Sequence, residues 1–120
     1  MSRALVAGLA VLATAGCATT SRVATLGDLV GTWEGRFALR LANAAATMEI
    51  NAEGAYRGAV HTEAGERSFS GAIVRLPTGR LRYQGTHGNG IVMMSTSASG
   101  PTLRFVPDGG SGGGSFTRVQ

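Results

Sequence analysis

One cysteine, two histidines and no lysine at all leave this 120-residue chain short of most catalytic equipment. With Cys17 as the only thiol, no intrachain disulfide can form, even in an oxidising compartment. A metal centre needs three or four ligands at suitable spacing, and neither His61 nor His87 has a Cys, His or Asp cluster beside it. Both histidines fall at polar or turn positions and read as surface residues. Met93-Met94 offers soft sulfur of the kind copper prefers, but adjacent strand residues point to opposite faces, so the pair cannot chelate together. Serines are plentiful, yet no Gly-x-Ser-x-Gly elbow or neighbouring base supports an activated one. The acids Glu34, Glu49, Glu53, Glu63, Glu66 and Asp108 lie mostly on outward strand positions or in turns, where a raised pKa is not expected. The glycine-rich stretch at 109–114 lacks the Lys-Ser/Thr ending of a phosphate loop and precedes a strand. The sequence therefore predicts no enzyme, no cofactor and no metal site.

Long apolar runs are missing too. Ala4 to Gly16 carries no charge, but a bilayer span needs about 20 apolar residues. The run does fit the apolar centre of a signal peptide, which is about 7–15 residues long. It follows the positive start of Met1-Ser2-Arg3 and closes on the small residues Ala15-Gly16-Cys17. Thr14-Ala15-Gly16-Cys17 resembles the lipobox of bacterial lipoproteins. That resemblance implies cleavage before Cys17, acylation of its sulfur, and anchorage of the mature chain to a membrane. Residues 1–16 are then the signal peptide and 17–27 the lipidated cysteine and tether. Ala18, as a non-acidic residue after the cysteine, implies sorting to the outer membrane, with the domain facing the periplasm. Each acyl CH₂ buried in lipid contributes about 0.8 kcal/mol, so several chains make release slow. Ala13-Thr14-Ala15 also reads as an ordinary signal-peptidase site, and the alternative is a soluble secreted or periplasmic protein.

What remains is enough for one small domain, residues 28–120, with a modest core. Nineteen glycines and few helix-favouring charged residues argue against a helical bundle. All 11 basic residues are arginine, the net charge is +4 and the isoelectric point is near 10.6. Nucleic acid is not the expected partner, since the chain carries an export signal and no aromatic-basic RNA motif or DNA-reading helix. Anionic envelope lipid or polysaccharide suits the charge better. The arginines also alternate with apolar residues, as the solvated face of strands would.

From Gly31 onward the apolar period is two. Trp33, Gly35, Phe37, Leu39 and Leu41 share one phase, against Glu34, Arg36 and Arg40. Met48 and Ile50 continue the pattern, then Tyr56, Gly58 and Val60, then Phe69, Gly71 and Ile73, where a slip near Val74 suggests a bulge. After Pro77-Thr78-Gly79 come Leu81, Tyr83 and Gly85, and Gly88-Asn89-Gly90 reads as a hairpin turn. Ile91 to Thr96, Leu103 with Phe105, and Phe116 to Val119 complete eight strands, with a glycine-rich loop at 108–114. The expected fold is all-β: an eight-stranded antiparallel up-and-down meander closing into a barrel, which removes the exposed edges, preceded by the signal-peptide helix and a flexible tether. Four units read aromatic-x-Gly, at Trp33, Tyr56, Phe69 and Tyr83. In each the ring and the glycine share a face, so a ring can cover a neighbouring strand's glycine.

Gly31-Thr32-Trp33 resembles the Gly-x-Trp opening of lipocalins and avidins, whose eight-stranded barrels bind ligands inside. The resemblance implies that Trp33 closes one barrel end. Trp33 is the sole tryptophan, so the further tryptophans of an avidin biotin site are absent. Trp33, Phe37, Tyr56, Phe69 and Tyr83 are the candidate ligand-lining or core residues, and Cys17 the lipidation site. The leading expectation is a non-enzymatic, lipid-anchored envelope protein with a binding or structural role. A lipocalin-like carrier of a small apolar ligand and an inhibitor of a secreted hydrolase are the alternatives. The ligand itself is not specified by the sequence.

Overall fold

The computed structural model describes residues 20–21, 25–39, 42–109 and 113–119. Cys17, the signal segment and Ala18 lie outside the described residues. The elements are β1 (Thr20–Ser21), α1 (Leu26–Leu29), β2 (Gly31–Leu39), β3 (Ala42–Ile50), β4 (Ala55–Thr62), β5 (Gly65–Arg75), β6 (Leu81–Gly85), β7 (Gly88–Ser97), β8 (Gly100–Pro107) and β9 (Gly114–Arg118). Each of β2 to β8 pairs antiparallel with its successor, and β2 also pairs with β9. The meander closes into an eight-stranded barrel. The short β1 pairs with β7 at Thr20↔Thr96 and Ser21↔Ser95, where β7 runs on past the end of the five-residue β6.

Alternation along each strand sends apolar side chains inward. Trp33, Met48, Val60, Ile73, Tyr83, Leu103 and Phe116 are each at most 1% exposed. The outer wall carries Glu34, Arg36, Glu49, Arg57 and Arg104, all exposed. A membrane-spanning barrel has the opposite arrangement, an apolar belt outside.

Two local expectations are corrected. No slip occurs at Val74: β5 and β6 pair one for one through Ile73↔Tyr83, Val74↔Arg82 and Arg75↔Leu81, and Val74 is simply an outward residue, 50% exposed. Nor does Asn89-Gly90 form the hairpin turn. Gly85 pairs with Gly88, so the connection is Thr86-His87, and Gly88 takes the positive φ of 140°. Asn89 and Gly90 sit in β7 opposite Gln84 and Tyr83. Gly90 is glycine for lack of room, because a Cβ there would lie 2.0 Å from the Val106 carbonyl oxygen. The turn after β5 is as expected, with Gly79 at φ 93° and its N–H donating to the Leu76 carbonyl.

The aromatic-x-Gly units show their purpose in the cross-strand register. Phe69 lies opposite Gly58, Tyr56 opposite Gly71, Tyr83 opposite Gly90, and Phe116 opposite Gly35. Each glycine leaves space that the facing ring occupies, while the backbone coils tightly. The Tyr56 side chain reaches across two strands, its hydroxyl within 2.4 Å of a Cβ added at Gly71 and 2.1 Å of one added at Gly85.

Candidate functional site

One end of the barrel is shut by a lock built from both ends of the domain. Thr25 caps α1: its hydroxyl accepts from the Asp28 N–H, and the Asp28 carboxylate accepts from the Thr25 N–H at 3.0 Å. This fixes a single helical turn, whose Leu29 is fully buried. The Leu29 carbonyl accepts from Trp33 Nε1 at 2.9 Å. Arg118, opposite Trp33 on β9, lays its guanidinium over the indole at 4.7 Å and donates to the Asp28 carbonyl. The cation–π contact and the charged hydrogen bond thus join the last strand to the helix before the first. The closed eight-stranded antiparallel barrel is consistent with a calycin-like fold. The sequence reading did not single out Arg118 or Asp28. A signal for Arg118 was present, since it follows Phe116 by two and so shares the inward phase.

Behind the lock, the candidate residues meet in one core. Phe37 stacks on Phe69 with centroids 4.6 Å apart and planes 7° from parallel. Phe116 and Phe105 join them, and Phe105 packs against Tyr56 at 5.3 Å and Tyr83 at 4.6 Å. Trp33, Phe37, Tyr56, Phe69 and Tyr83 are each at most 5% exposed. Rings therefore occupy the volume that a carried ligand would need.

Burial pushes the Tyr56 hydroxyl up to about 12, helped by the neighbouring Tyr83. Burial likewise raises Tyr83 to about 12, with Asp108 adding to the shift and Arg82 opposing it. The unfolded chain, ionising near 10.0, loses these protons first. Stability is therefore intact below pH 10 and falls as pH rises towards 12. Phenolate absorbance and circular dichroism recorded together should change in step across that window. Ionisation centred on pH 10 with an intact sheet spectrum would show instead that the rings are open to water.

The remaining titratable groups stand apart. His61 approaches Glu66 at 3.1 Å on the outside of the β4–β5 hairpin. His87, in the loop after β6, lies edge-on to Phe37 at 6.5 Å. Met94 points inward and Met93 outward, with 8% and 47% exposure. Arg82 donates to the Asp108 carboxylate, which holds that carboxyl below its ordinary range, and Asn89 adds a weaker contact at 3.5 Å. Among the described residues no group of three His, Cys, Asp or Glu side chains is placed to hold a metal ion.

The hollows described here are open grooves on the outer wall. One of about 690 Å³ lies beside Thr32, Glu49, Arg57 and Ser70, across β2 to β5. Another of about 570 Å³ runs over β9, between Arg36 on β2 and Arg104 on β8, with Ser115 between them. Comparison of the chain with protein-family models, with curated proteins and with solved structures found no match. The functional reading therefore rests on the residues and their geometry.

Proposed function

We propose that this chain is a lipid-anchored envelope protein, without enzymatic activity, whose barrel binds or braces through its outer wall and rim. The observation that carries this reading is the ring-filled interior. A lipocalin-like carrier needs a cavity behind Trp33, and the contacting rings of Phe37, Phe69, Phe105 and Phe116 stand there. The anchoring half of the reading is supported by Thr14-Ala15-Gly16-Cys17 and the uncharged run before it. Inhibition of a hydrolase would also be a surface activity, but no loop among the described residues favours it.

The test uses a clickable fatty acid fed to cells producing the full chain. Wild type should take up the label and sediment with membranes, and Cys17→Ser should lose both. Equal labelling of the two would sink the anchor. The purified protein should show unchanged Trp33 fluorescence on titration with fatty acids, because the indole is fully buried beside filled space. A saturable change would restore the carrier reading.

A further inference from the structure

We propose that the wall formed by β7, β8, β9 and β2 seats the barrel on an anionic phospholipid surface, with a lipid phosphate between Arg36 and Arg104. The inference deepens the reading above and rests on it in taking the partner to be a membrane.

Register brings the site together. Arg36 pairs with Ser115, and Ser115 pairs with Arg104, so the three form one row across neighbouring strands. Strands lie about 4.8 Å apart, which sets the two arginine Cα atoms about 10 Å from each other. Two long side chains at that distance can bracket a phosphate above the Ser115 hydroxyl. Glycine leaves room at one end of the groove, since a Cβ at Gly113 would lie 2.6 Å from the Pro107 ring.

Charge favours an anion here over the groove on the other wall. The groove has no acidic residue in its lining. By contrast, Arg57 faces Glu49 at 3.9 Å in the groove on the other wall, and Arg82 is held by Asp108. Arg104 has no ion-pair partner among the described residues. Arg36 uses one N–H on the Asn43 carbonyl, and a guanidinium has five such donors. Glu34, the nearest outward acid on β2, lines a different hollow, beside Thr47 and Thr117.

Apolar surface lies next to the charge. Met93 is paired with Arg104 and is 47% exposed, while Ile91 pairs with Val106, which lines the groove together with Pro107. A row of cations bordered by half-exposed aliphatic side chains matches the boundary between headgroups and acyl chains. A free inorganic anion would have no use for the aliphatic part.

The experiment compares co-sedimentation with phosphatidylglycerol and phosphatidylcholine vesicles, using the full chain carrying Cys17→Ser, so that acylation plays no part. The apolar segment at 4–16 is common to every variant and cancels in the ratio. The ratio should favour phosphatidylglycerol, and Arg104→Gln should lower it about fivefold, as expected for one arginine at an anionic surface. Arg57→Gln, on the far wall, removes the same formal charge and should change the ratio less than about twofold. Equal losses from the two variants would mean diffuse attraction and overturn the proposal. So would a ratio near one for the parent chain. A calorimetric signal from inorganic phosphate that vanishes in Arg104→Gln, without vesicle preference, would reassign the groove to a soluble anion and overturn the lipid. Fatty-acid labelling at Cys17 is scored separately, so loss of the anchor reading and loss of this one are distinguishable.

Discussion

Gly35→Ala should lower the melting temperature of the barrel by about 15 °C, the scale of a 2–4 kcal/mol loss in a domain of this size. Gly35 sits in β2 between Ala46 of β3 and Phe116 of β9. An added Cβ would lie 1.9 Å from the Ser115 carbonyl oxygen and 2.7 Å from the Phe116 Cα. Both obstacles are backbone, so no rotamer change relieves them. Relief requires β2 to move away from β9, and that seam is where the sheet closes on itself. A loss of this size is a large fraction of a total stability of roughly 5–15 kcal/mol. Thermal unfolding followed by circular dichroism provides the measurement. Gly109→Ala is the control, since a Cβ there has nothing within 4 Å. A melting point for Gly35→Ala within a few degrees of the control would mean that the seam yields more easily than its geometry implies.

Trp33→Ala should be the most damaging core truncation, at about 3–5 kcal/mol. The side chain is fully buried, and three things are lost with it. The indole volume is vacated at the closed end, the Leu29 carbonyl loses its donor, and Arg118 loses the ring beneath its guanidinium. Trp33→Phe keeps much of the ring volume but not the donor, and should fall between the two. Denaturant unfolding of the three proteins tests this order. A cost below about 1 kcal/mol for Trp33→Ala would remove Trp33 from the lock.

Much of this barrel is visible in the residue order because strand alternation is a local property. Tyr56-Arg57-Gly58 and Tyr83-Gln84-Gly85 each declare which residue faces inward without reference to any partner. Where the reading failed, at Val74 and at Asn89-Gly90, local cues had two structural meanings. An apolar residue after Ile73 can mark a bulge or an outward position, and Asn-Gly can make a turn or fit a crowded strand. The candidate lipidation site has a contiguous motif, whereas Arg36, Ser115 and Arg104 have none. Their common row exists only once β9 is inserted between β2 and β8.

Strand phases, the count of eight barrel strands and the scarcity of cysteine, histidine and lysine are all stated by the residue order. Each of these depends on neighbours a few positions away, so the chain states them directly. The filling of the barrel by rings, the contact of Arg118 with Trp33 and the groove shared by two arginines arise only in the folded chain. Arg118 meets Asp28 across 90 residues of chain, and Phe116 meets Gly35 through the same closing seam. Nothing local pairs residues so far apart. Their contact follows from the tight coiling that closes the meander, which brings its last strand back to its first.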